Sequence, residues 1–94
     1  MNKNDLVPMI TIEECSEVIQ AISKVFRFGI HQINPYTSRT NKFELETEIG
    51  QLKYMLNRLI QDWGLDEDNI LKGIRNKSDS IGVWADYFDR KPGE

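Results

Sequence analysis

Two glutamates stand where a helix should be greasy. Residues 11–28 and 42–63 each carry apolar side chains at helical spacing, and in each an acid falls inside the apolar arc rather than opposite it. At about 100° per residue, with Glu14 as zero, Phe28, Ala21, Val25, Val18, Ile22, Cys15, Phe26, Ile19 and Ile12 spread over roughly 200°. Glu14 lies between Ala21 and Val25, and Glu17 marks the edge of the arc. With Glu48 as zero, Met55, Leu59, Leu52, Leu45, Trp63, Leu56, Ile49 and Ile60 span about 140°. Glu48 lies between Met55 and Leu59, and Gln51 has the offset from Glu48 that Glu17 has from Glu14.

An ionised carboxylate on an apolar face costs several kcal/mol of desolvation unless something compensates it. Two of them on neighbouring helices also repel. A divalent cation answers both costs, and Mg²⁺ takes hard oxygen ligands, commonly a few carboxylates together with phosphates. Residues three apart on a helix share a face, so Glu14 with Glu17 and Glu48 with Gln51 would each aim two oxygens at one place. The expectation is an acidic, metal-holding pocket between two helices. Two plainer readings stand beside it. Glu-x-x-Glu is common on solvated helix faces. Thr11-Ile12-Glu13-Glu14 also fits a capping box, with Glu14 folded back onto the Thr11 amide; that reading leaves Glu48 unexplained.

Ninety-four residues allow one domain, with residues 1–10 as a lead-in and 89–94 as a flexible tail. A chain this short has a modest core, and apolar arcs this wide predict association with further copies. The 39% hydrophobic and 29% charged composition is that of a globular domain, and the net charge of −3 argues against a general nucleic-acid binder. No apolar run reaches the roughly 18 residues of a membrane span. Met1-Asn2-Lys3-Asn4-Asp5 lacks the apolar core of a secretion signal, and the single Cys15 reads as a reduced core thiol; together they predict a cytoplasmic setting.

The first helix is expected from the Thr11 N-cap to Phe28, stopped by Gly29. Residues 30–42 form a long loop carrying His31, Asn34-Pro35 and Tyr36, and a connection of that length in a small domain favours a functional role. Asn41 is the expected N-cap of a second helix running to Trp63 and ended by Gly64. Gly50 inside that helix costs about 1 kcal/mol relative to Ala, which predicts close approach of another backbone. Asp66-Glu67-Asp68 suits the start of a third helix reaching about Arg75, followed by a segment over 77–88; Gly73 and Asn76-Lys77-Ser78 leave open one helix or two. No segment alternates as a strand does, so the fold class is all-α. One histidine and one cysteine give no zinc spacing, and the glycines form no phosphate loop.

Glu14-x-x-Glu17 followed by Glu48-Ile49-Gly50-Gln51 resembles the Glu-x-x-Glu … Glu-x-x-Asp signature of the MazG-like nucleoside triphosphate pyrophosphohydrolases, especially small phage-type members. Residues 12–63 carry the resemblance, with Arg27-Phe28-Gly29 and Thr40-Asn41 between the motifs. It implies a MazG-like bundle of three to four helices completed by assembly into dimers or tetramers. It implies Mg²⁺, or Mn²⁺, held by Glu14, Glu17, Glu48 and Gln51, with hydrolysis of an NTP or dNTP to the monophosphate and pyrophosphate. Lys24, Arg27 and Lys77 become candidates for phosphate contact, and Asn41 for substrate contact or loop ordering. The departure is Gln51, where the signature has Asp. An amide oxygen still ligates Mg²⁺ but brings no charge and cannot act as a base. Glu44 and Asp62, on the same side of the second helix, are possible replacements. The alternative implied is a non-catalytic nucleotide-binding or protein-interaction oligomer of the same fold.

Overall fold

The computed structural model describes residues 2–82, and these are helical apart from their connections. After a short 3₁₀ turn, Lys3–Asp5, come α1 (Leu6–Phe28), α2 (Asn41–Trp63) and α3 (Glu67–Gly82). Among the described residues no helix is long and apolar enough to cross a membrane.

α1 begins five residues earlier than its sequence suggests. Pro8 sits in the first turn, where an amide has no intrahelical partner to lose, so it admits the helix instead of blocking it. Thr11 is therefore not a cap. It is buried inside α1, its hydroxyl donating to the Val7 carbonyl at 2.7 Å and lying 3.5 Å from the Met55 carbonyl of α2. With Thr11 interior, the capping-box reading of Glu14 falls. At the other end the Gly29 amide donates to the Val25 carbonyl, and Gly29 turns the chain out of the helix at φ +96°.

The connection to α2 is built rather than slack. The Asn34 carbonyl accepts from the amides of Thr37 and Ser38, the Asn34 side chain accepts from the Tyr36 amide, and Ser38 takes φ +62° to close the turn. Ile33 and Thr40 form an isolated antiparallel bridge behind it. The N-cap of α2 is Thr40 and not Asn41: the Thr40 hydroxyl accepts from the Phe43 amide at 3.1 Å. Asn41 begins the helix and is buried, its Nδ2 donating to the Gly29 carbonyl at 2.9 Å. That bond ties the end of α1 to the start of α2.

α2 ends at Gly64 in the left-handed conformation, with the Leu65 amide donating to the Ile60 carbonyl. The Asp66 carboxylate then caps α3 by accepting from the Asp68 and Asn69 amides. α3 is one helix through Gly73 and through Asn76-Lys77-Ser78, so it passes Arg75 and, of the two alternatives left open, the described residues show the single helix as far as Gly82. Trp84, Tyr87, Phe88 and the 89–94 tail lie outside the described residues.

α1 and α2 pack against each other as an antiparallel pair, and among the described residues α3 has no comparable packing on either. The thinnest dimension is 15 Å, little more than one helix diameter, and the radius of gyration is 16.7 Å against about 12 Å for a compact chain of this length. A single layer encloses little. Ala21 is the one buried apolar residue among those described. Ile12, Ile19 and Phe26 are 69%, 68% and 87% exposed, and Cys15, expected in the core, lies in the open with them. Gly50 is exposed too, and a Cβ placed there meets nothing within 4 Å, so no backbone among the described residues approaches it.

Candidate functional site

Counting from Glu14 and Glu48, both of which lie in the seam between the helices, the same rotational sense about two antiparallel axes leads to the same face of the pair. In one sense stand Cys15, Ile19 and Ile22 of α1 with Ile49, Leu56 and Trp63 of α2, an apolar face. In the other stand Glu17 and Lys24 with Glu44, Thr47, Gln51 and Tyr54, a polar face. The acids at matching offsets are thus carried to one side of a two-helix plate.

Glu14, Glu17 and Glu48 are each half-buried. Glu14 and Glu48 each have one carboxylate oxygen, Oε2, shut off from solvent and without a hydrogen-bond partner. A buried oxygen bearing negative charge and accepting nothing is costly. The cost registers on Glu48. Burial pushes its carboxyl above the ordinary carboxylate range, the charges of Glu14, Glu17 and Glu44 push it further, and Lys24 opposes them. The structure therefore brings Glu14, Glu17, Glu48 and Lys24 within electrostatic reach of one another.

The remaining candidates sort differently. Gln51 is exposed and shares with Glu14 a groove of about 470 Å³, lined also by Ile10, Glu46, Thr47, Gly50, Tyr54 and Met55. Glu44 accepts a hydrogen bond from the Thr37 hydroxyl, which engages it in holding the loop. Asp62 is exposed, about three turns from Gln51, and its charge acts on Arg58. Of the two, Glu44 is the one whose charge acts on Glu48. Arg27 is exposed, its guanidinium 5.1 Å from the centre of the Phe28 ring. Asn41 orders the loop through Gly29. Lys77 is exposed on α3, which the single chain does not bring to the acids. His31 is exposed in the loop.

The donors suit Mg²⁺ chemically: hard oxygens, two of them buried and unsatisfied. They are not drawn into a finished cage, since among the described residues no three His, Cys, Asp or Glu side chains are grouped to hold an ion. One further feature escapes the sequence pattern. A second cavity of about 350 Å³ lies between the end of α1 and the loop, lined by Lys24, Phe28, Gln32, Ile33, Asn34, Pro35, Tyr36 and Asn41. The breaker-rich loop signals a turn there, but only the fold around Asn34 shows that the turn walls a hollow. Comparison with protein-family models, with curated proteins and with solved structures finds no match.

Proposed function

We propose that the chain is a MazG-like nucleoside triphosphate pyrophosphohydrolase that uses Mg²⁺ at Glu14, Glu17 and Glu48, weakened by Gln51, in an assembly of two or more copies. The observation that carries this is the pair of buried, partnerless oxygens, Glu14 Oε2 and Glu48 Oε2, on adjoining helices. Uncompensated, they only destabilise the fold; a divalent cation bound there would take them as ligands. Bound Mg²⁺ supplies charge that offsets the phosphates and makes water more acidic.

The chain's own residues then divide the work. Glu14 and Glu17, three apart on α1, hold one side of the site. Glu48 of α2, with one oxygen buried and unpartnered, holds the other side. Lys24 faces the same acids and offers its ammonium to a phosphate oxygen. Asn41 fixes the loop beside the site.

Gln51 and the open arrangement of the acids favour a second reading, a nucleotide-binding relative of the same fold without turnover. One assay separates the two. Pyrophosphate release is measured over a panel of NTPs and dNTPs with Mg²⁺ or Mn²⁺, for wild type and for Gln51→Asp. Release by wild type establishes the enzyme. Release by Gln51→Asp alone marks a decayed one. Silence in both, with no metal-dependent rise in melting temperature, rejects the metal site.

A further inference from the structure

The acids lie between two hollows, and only one of them is built like a receptor for an aromatic ring. The groove beside Gln51 is an open furrow between helices. The cavity at the end of α1 has three kinds of wall. Phe28, Ile33 and Tyr36 give flat or branched apolar surface. Gln32 offers a side-chain amide that makes no hydrogen bond among the described residues and can donate and accept. Lys24 lines the cavity and also acts on Glu48, so its ammonium stands at the border between the hollow and the acids. The backbone carrying these walls is fixed: Asn34 accepts from the Tyr36 amide, and Asn41 donates to the Gly29 carbonyl. Tyr36 is 95% exposed and lines the cavity, so its ring is open to a ligand.

We propose that the cavity between the C-terminal end of α1 and the Asn34–Ser38 turn receives the nucleobase of a nucleotide, with Tyr36 as a stacking surface and Lys24 steering the phosphates toward Glu14 and Glu48. An apolar hollow with a few polar groups that both donate and accept is the general form of a heterocycle site. Stacking on an aromatic ring is worth about 1–3 kcal/mol per base, and an unbonded tyrosine face is available for it. The direction of the bound nucleotide follows from charge, since Lys24 is the cation shared by the hollow and the acidic seam. The inference rests on the proposed nucleotide chemistry for the phosphate end; the base end stands on the cavity alone.

The test titrates the full chain with three probes: uncharged nucleosides, nucleoside 5′-monophosphates, and inorganic tripolyphosphate with Mg²⁺. Two variants are compared with wild type. Tyr36→Ala removes the stacking face, and Gln32→Trp fills the hollow; both change exposed side chains, and melting curves verify that they fold. Wild type is expected to bind at least one nucleoside and its monophosphate. Each variant is expected to weaken both by about ten-fold or more while leaving tripolyphosphate within about two-fold. Absence of nucleoside and monophosphate binding in wild type overturns the proposal, as does unchanged affinity in both folded variants. Failure of tripolyphosphate to bind with Mg²⁺ overturns the pyrophosphohydrolase reading instead, and leaves the nucleoside arm to decide the cavity.

Discussion

Glu48 pits burial and like charge against a lone lysine, and the sign of the result can be worked out. Its carboxyl is raised above the ordinary value, first by burial and then by Glu14, Glu17 and Glu44. Between the unfolded and folded pKa values, the folded chain holds a proton that the unfolded chain has released. Stability therefore falls as pH rises through that window and stays lower above it. Glu48→Gln removes the penalty. Thermal melts across the acid-to-neutral range are expected to show the variant melting above wild type near neutrality, with a flatter pH dependence. Added Mg²⁺ is expected to raise the melting temperature of wild type and not of the variant. Asn41 makes the opposite case. It is 4% exposed and its Nδ2 serves a carbonyl, so Asn41→Ala leaves the Gly29 oxygen with only the long bond from the Gln32 amide and is expected to cost about 0.5–1.5 kcal/mol in urea unfolding. The acids were legible in the sequence because a charge inside a 3.6-residue apolar pattern breaks the pattern. Asn41 was legible only as a polar residue near a helix start. Its bond to Gly29 depends on the loop bringing positions twelve apart together, which no local spacing encodes.

At the level of elements, the helices follow their punctuation where glycine or an acid supplies it, and depart from it where two signals compete. Gly29 and Gly64 stop α1 and α2 as their positions predict. Pro8 reads as a barrier yet is tolerated in the first turn, so α1 gains the residues from Leu6 onward and Thr11 becomes interior. Thr40 and Asn41 are both good caps, and the one whose oxygen reaches the Phe43 amide wins. Gly73 costs α3 too little to break it. Gly50 is the most informative error. Its expected role was to admit another backbone, but no described residue fills the space above it. Gly50→Ala is therefore expected to stabilise the chain by about 0.5–1 kcal/mol through helix propensity alone, read as a higher urea midpoint with an unchanged slope. A loss of stability would mean that something outside the single chain packs on that groove.

The whole molecule poses a problem of layers. One sheet of helices 15 Å thick leaves α1 with a row at seven-residue spacing, Ile12-Ile19-Phe26, and α2 with another, Ile49-Leu56-Trp63. All six are exposed, at 39% to 87%. Rows at that spacing are the seams of helical bundles, in which a second pair of helices covers the first. The apolar face is opposite the acids, so covering it leaves Glu17, Lys24 and the two hollows accessible, consistent with an assembly whose sites remain open. A substitution can distinguish the assembled state from the lone chain. In isolation Ile19, 68% exposed, is a surface residue, and Ile19→Glu should shift stability by no more than about 0.5 kcal/mol. In the proposed assembly the same change buries a charge in the shared core. Sedimentation of wild type is expected to give a dimer or larger species, with a melting temperature that rises with protein concentration as mass action requires. Ile19→Glu is expected to abolish that species and lower the melting temperature. A wild-type monomer, together with a neutral Ile19→Glu, would mean that the exposed rows serve no partner copy, and that these helices hold together without the second layer their apolar faces call for.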